Sequence, residues 1–232
     1  MTRDWARWHE AYDDPASGLS TRLALVRAHL SIALATARPG PIRVVSLCAG
    51  QGRDVIGTLP GHPRRADVTA LLVELDPGLA GAARDRAAAA GLDGVTVRVA
   101  DASTVAAYAD ALPADVLLLC GIFGNVSDED IRQTATATAA MCAPGGTVIW
   151  TRHRRPPDLT SQIRAWFTAA GFEEVAFDAP ETATMTGVGV HRLPTAASAP
   201  AWTPGSAAQL PEGRLFTFRP GRSQAGAGLA PG

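Results

Sequence analysis

From residue 40 onward, short apolar runs and turn residues alternate at a regular pace. "IRVVSLC" (42–48), "VTALLVE" (68–74), "VTVRVA" (95–100), "DVLLLC" (115–120) and "TVIWT" (147–151) are β-branched or leucine-rich and bounded by Gly, Pro or Asp, which predicts strands. The stretches between them, 77–91, 103–112 and 128–143, predict helices, as does 157–171 with Asp158 as N-cap and Gly171 as stop. Nearly continuous apolar strands alternating with helices predict a parallel sheet covered on both faces. After residue 177 the pattern weakens. "TGVGVHR" and "RLFTF" read as strands, separated by an Ala/Pro/Ser/Gly stretch over 194–212, and the final "RPGRSQAGAGLAPG" has the composition of a mobile tail. Ahead of the sheet stand an aromatic head and the amphipathic stretch "STRLALVRAHLSIALATA". The expected division is a helical lid or cap over 1–40, a ligand-binding domain over 41–218 and a tail over 219–232, with no internal repeat.

Composition narrows the classes. At 232 residues, 47% apolar and 19% charged, the chain suits one globular domain. A formal net charge of −1 supplies no general attraction to nucleic acid or to a membrane surface. The longest apolar run, "DVLLLCGIF", is too short to span a bilayer, and "MTRDWARWHE" lacks an apolar signal core, so the expected location is cytoplasmic. Cys48, Cys120 and Cys142 are too widely spaced for a disulfide framework or a zinc site, and no metal is expected. All 21 basic residues are arginine. A chain without lysine has neither the Walker-type phosphate loop nor Schiff-base catalysis.

The candidate chemistry starts at "VVSLCAGQGRDVIG" (44–57), a strand, a glycine turn and a helix start. Gly50 and Gly52 form G-x-G, but the third glycine of a dinucleotide fingerprint is Val55 here. With the lysine also missing, S-adenosylmethionine leads among the ligands such a turn can hold. Glu74 closes the second strand, where a carboxylate can accept both ribose hydroxyls. Asp101 follows the third strand, where its oxygen can receive an adenine amino group or cap a helix near Ser103.

Over residues 40–178, "VVSLCAGQG", "VELDP", "VADAS", "ADVLLLCGIFGN" and "CAPGGTVIW" occur in order and spacing that resemble the class I S-adenosylmethionine-dependent methyltransferases. The resemblance implies a Rossmann-like, doubly wound, mostly parallel seven-stranded α/β sheet with helices on both faces. It implies S-adenosyl-L-methionine as cofactor and a small-molecule methyl acceptor. Cofactor contacts are implied for Cys48, Ala49, Gly50, Gln51 and Gly52, for Glu74 and Leu75, for Asp101 and Ala102, and for Gly121 and Phe123. Two positions depart from the family pattern: Ser46 stands where an acid is usual, and Cys48 replaces the first glycine. Asp54, in the first turn of the next helix, suits the helix N-terminus.

Further candidates lie at the same edge. Asn125 either orients the acceptor or caps the helix starting near Asp128. Arg152, His153, Arg154 and Arg155 form either an anionic-substrate patch or a solvated charge run, and His153 is also a candidate general base. His191 has the same two readings, while Cys120 reads as a core thiol. Trp5, Trp8 and Tyr12 share one helical stripe, which predicts a lid bringing Trp8, His9, Tyr12 and Asp13 to the methyl group, with Pro15 ending the helix. His9, Tyr12, Asn125 and His153 are thus the candidate catalytic residues, and Tyr12 is also a cofactor contact. Asp13 or Asp14 can replace the charge that Ser46 lacks. A cyclising or decarboxylating enzyme of the same fold and a non-catalytic binding module are the competing readings.

Overall fold

The computed structural model describes residues 12–14, 17–180, 185–195 and 213–219. In chain order the elements are α1 (Gly18–Thr36), β1 (Ile42–Leu47), the single turn α2 (Val55–Thr58), β2 (Val68–Glu74), α3 (Pro77–Ala89), β3 (Val95–Val99) and β4 (Ala114–Leu119). They continue with α4 (Asp128–Met141), β5 (Cys142–His153), α5 (Thr160–Ala169), β6 (Glu173–Asp178) and β7 (Thr186–Arg192). Seven strands form one sheet in the order β3-β2-β1-β4-β5-β7-β6. All pairings are parallel except those of β7, which runs antiparallel to β5 and β6. This is the Rossmann-like, doubly wound sheet that the sequence implies.

Alternation along each strand builds two cores. Val45, Leu47, Leu117, Leu119, Val148 and Trp150 face one layer, where Ile131 of α4 and Ile163 and Phe167 of α5 pack. Val44, Leu72, Val116, Leu118 and Ile149 face the other, under Val26, Leu30 and Leu34 of α1 and Ala80, Ala83 and Ala87 of α3. Helix α1 is therefore part of the sheet's cover, and only the chain before it is left for a lid. No helix among the described residues is long and apolar enough to cross a membrane.

Local chemistry sets the helix ends. Asp76 accepts the amides of Gly78 and Leu79, with Pro77 opening α3. Ser127 and Asp130 make a reciprocal capping box on α4, so Asn125 is not its cap. Asp158 accepts the Thr160 amide at 2.9 Å from one residue before the cap position, Leu159.

Three expectations need correction. The helix over 103–112 is absent: Val105–Ala107 and Ala109–Ala111 are single 3₁₀ turns, because Tyr108 leaves helical backbone (φ −145°) and buries its ring with Val105 and Leu112. The helix over 128–143 ends at Met141, and Cys142 already pairs with Ala114 of β4. "RLFTF" makes no strand. It is an irregular strap with one antiparallel bridge, Arg214 to Thr104, and buries Leu215 and Phe216 in the core.

His191 is no base at an open edge; it lies fully buried in the core, stacked 4.8 Å from Phe167. The Trp150 indole N–H donates to its Nδ1 at 3.2 Å, which requires a neutral ring with its proton on Nε2. Burial pushes its pKa down to about 4 despite the pull of Glu174. Because the folded pKa lies below the unfolded value of about 6.5, the stabilisation is complete above that pH and is lost as pH falls towards 4. The loss amounts to roughly 3 kcal/mol in full. Urea midpoints at pH 7.5 and 4.5 should therefore differ more for the natural protein than for His191→Asn, whose amide oxygen stands where Nδ1 accepts from Trp150.

Candidate active site

β1 and β4 are neighbours whose connections leave towards opposite halves of the sheet, so a crevice opens at their carboxyl ends. The turn after β1 fills its floor. Cys48, Gly50 and Gly52 all adopt left-handed backbone, with φ of 55°, 56° and 64°. That alternation explains why the family pattern has glycine where Cys48 stands, since a side chain there costs about 1–2 kcal/mol. At Gly52 a Cβ would also stand 2.6 Å from Ile56 and Leu72. Burial, with the nearby charges of Glu74 and Asp101, pushes the Cys48 thiol up, so it stays neutral.

Glu74 ties the floor together. Its Oε2 accepts the Gly50 amide at 2.7 Å and its Oε1 accepts the Asp76 amide at 2.9 Å. A carboxylate has about four acceptor positions, so two bonds leave room for more. Next to it, Leu75 is 64% exposed, an apolar side chain at the mouth of the crevice.

Beyond β3, Asp101 is already engaged. Oδ1 accepts the Ser103 amide at 2.9 Å and Oδ2 pairs with Arg214 at 2.7 Å. Burial raises this carboxyl, but the bonds from Ser103 and Arg214 outweigh it and hold it below the usual range. Ala102 is buried. The strap continues from Arg214: the Leu215 amide donates to Ser103, Thr217 to the Asp130 carboxylate and Arg219 to the Asn125 carbonyl.

On the other side of the turn, Arg53 links the N-terminal segment to the floor. It pairs with Asp13 at 2.7 Å, reaches the Gln51 side chain at 2.8 Å, and lies 5.4 Å over the Tyr12 ring. Arg22 donates to the Tyr12 hydroxyl. Arg27 of α1 holds the Arg53 carbonyl at 2.9 Å. Asp54 caps α2 through the Val55 amide. Burial raises its carboxyl, and burial first, with a smaller push from the Asp54 charge, raises the Tyr12 phenol and the Cys120 thiol, so these groups share one environment.

The loop after β4 leaves the same edge of the sheet. Gly121 (φ 80°) donates its amide to Thr151, and Asn125 donates to the Gly121 carbonyl at 2.7 Å. A Cβ on Gly124 would meet His153 at 3.4 Å. Burial, then the charges of Arg152 and Arg155, lowers the His153 pKa, and its buried Nδ1 has no partner among the described residues.

The expected residues Tyr12, Cys48, Ala49, Gly50, Gln51, Gly52, Glu74, Leu75, Asp101 and Gly121 thus converge on one edge, with Asn125 and His153 beside them. The Phe123 side chain does not reach the crevice: its ring is fully buried against Trp150 and Phe167. His9, Trp5, Trp8 and Pro15 lie outside the described residues. Arg22, Arg53 and the whole strap escaped sequence reasoning. Asp13, expected to supply a missing charge, is committed to Arg53, whereas Asp54 sits at the turn. The signal was present in "GQGRD", which places an arginine and an acid directly after the glycines.

No protein-family model and no curated protein matches the chain. Solved structures do match. The magnesium protoporphyrin IX methyltransferase of Synechocystis PCC 6803, solved with S-adenosylmethionine bound, superposes with a TM-score of 0.63 at 14% identity, covering 82% of this chain and 90% of that one. An O-methyltransferase family protein of Burkholderia thailandensis gives 0.56 at 18% identity, covering 83% and 70%. The CurJ carbon methyltransferase gives 0.63 at 14%, covering 82% of this chain and 58% of that one. The chain has the fold of the class I S-adenosylmethionine-dependent methyltransferases.

Glu74 carries two charge-assisted bonds, one to the buried turn at Gly50 and one to the more exposed turn at Asp76, so Glu74→Ala should destabilise the protein without any ligand by roughly 2–3 kcal/mol. Urea denaturation of the ligand-free protein measures this. Glu74→Gln should recover at most part of the loss, because its amide nitrogen faces an N–H donor.

Proposed function

We propose that the protein transfers a methyl group from S-adenosylmethionine to a small-molecule acceptor bound in the crevice. The observation that carries this reading is Glu74, held at the end of β2 between two turns with acceptor positions left for a pair of vicinal hydroxyls. The left-handed turn beside it supports a close approach of ligand to backbone. S-adenosylmethionine would supply a methyl group already activated by its sulfonium.

The chain's own residues then bind, orient and exclude water. Glu74 takes the ribose hydroxyls, Leu75 borders the adenine, and Asp101 receives the adenine amino group beside Arg214. Cys48, Ala49, Gly50, Gln51 and Gly52 line the floor with backbone, and Gly121 opens the far wall. Asp54 takes the role of the missing acid at Ser46 towards the methionine ammonium. Tyr12 and the segment before it close the mouth, anchored through Arg53. His153, neutral near physiological pH, accepts a proton where the acceptor must lose one, and Asn125 positions the loop. Positioning and dryness account for most of the catalysis, since the methyl is pre-activated.

Calorimetric titration with S-adenosylhomocysteine tests the reading directly, and a dissociation constant in the micromolar range is expected. Gly50→Val should abolish this binding, because a β-branched residue does not hold a φ of 56° without strain. Absence of binding to the natural protein would remove the proposal.

A further inference from the structure

The four-residue run Arg152–Arg155 does not behave as one patch. Arg154 donates to the Ala179 carbonyl at 3.1 Å and pairs with Asp158 at 3.5 Å, while Arg155 is exposed. Arg152 is only 8% exposed. Its Nη1 donates to the Phe123 carbonyl, and its buried Nε has no acceptor. Among the described residues no carboxylate lies within 4.0 Å of it.

A buried guanidinium with one carbonyl for a partner is unusual, because burying a charge is costly unless an opposite charge meets it. It does not escape by losing its proton: burial lowers its pKa and Asp128 pulls it back, but arginine remains charged at neutral pH. The neighbouring charges do not neutralise it either. Arg219 pairs with Asp128 at 3.7 Å and Arg154 with Asp158, which leaves Arg152 and the exposed Arg155 over. The adjoining imidazole of His153 is kept neutral by burial and by these same arginines. This end of the sheet therefore has positive charge in excess and an unused guanidinium edge.

We propose that Arg152 is an anion receptor at the acceptor side, and that the acceptor is a small organic acid whose carboxylate seats on it. With Nη1 committed to Phe123, Nε and Nη2 form the remaining side-on fork, which matches a planar carboxylate in two parallel bonds. A single guanidinium fork balances one negative charge, which favours a carboxylate over a doubly charged phosphate. The segment Gly121–Gly124 lies against this group, and its two glycines give it freedom to admit the acid. The word acceptor rests on the methyl-transfer reading; the anion site itself does not.

The test titrates the full chain, with and without saturating S-adenosylhomocysteine, with benzoate, phenylacetate and hexanoate and with their primary amides. At least one acid should bind about tenfold more tightly than its amide, the size of one good charge-assisted contact. Arg152→Gln should erase that preference, Arg152→Lys should keep part of it, and Arg155→Gln should leave it unchanged. Circular dichroism and urea denaturation verify that each variant is folded. No preference in the natural protein, or one that survives Arg152→Gln, overturns the anion site. If S-adenosylhomocysteine binds but no acid is preferred, this inference fails and methyl transfer stands. If an acid is preferred but S-adenosylhomocysteine does not bind, the anion site stands and methyl transfer fails.

Discussion

The carboxylate of Glu74 accepts the Gly50 amide with one oxygen and the Asp76 amide with the other, joining the turn after β1 to the turn after β2. Both amides belong to chain that has just left the sheet, where no neighbouring strand remains to accept them. An unpaired buried amide costs about 1–3 kcal/mol; the bond to the buried Gly50 removes that penalty, and the bond to the exposed Asp76 fixes the next turn. Asp76, fixed in this way, caps α3, while Gly50 sits between the two other left-handed residues of the floor. The placement of α2 and α3 over one sheet face, and the shape of the crevice on its edge, follow from that bridge.

Much of this was legible in the sequence because parallel strands buried on both faces must be almost wholly apolar. β2 appears as the run 68–74 and β1 as 42–48, one residue past its observed end, whereas the caps Asp76 and Ser127 went unread. The glycine turn and Glu74 were legible for a related reason: backbone geometry and strand-end position leave few residue types that fit. What escaped was whatever depends on partners distant in sequence. Tyr108 turned an alanine-rich stretch that favours helix into two short turns because its ring was drawn into the core. Nothing local to "RLFTF" says that its amides will go to Ser103 and Asp130 instead of to a strand.

Arg152 and His153 show the same limit within the site. In sequence they belong to one charge run with Arg154 and Arg155, and a run of charges normally reads as solvated. Only the fold separates them, since burial in β5 and the loop after β4 give adjacent residues different solvent and different partners. Three of the four are thereby accounted for as a surface cation, an ion-paired cation and a neutral imidazole. The fourth retains a charge that its surroundings do not match.

The strap has a thermodynamic consequence for Asp101. Arg214 occupies one of its oxygens, at a place where both partners remain partly exposed to solvent. On the proposed reading, an adenine amino group would share that carboxylate with a resident arginine, and would compete with it only where the remaining acceptor positions are closed. Such competition is sensitive to ionic strength, because mobile ions screen an exposed pair more than a contact enclosed by ligand and protein. On that reading the chain's own arginine is the default partner of Asp101 at this edge.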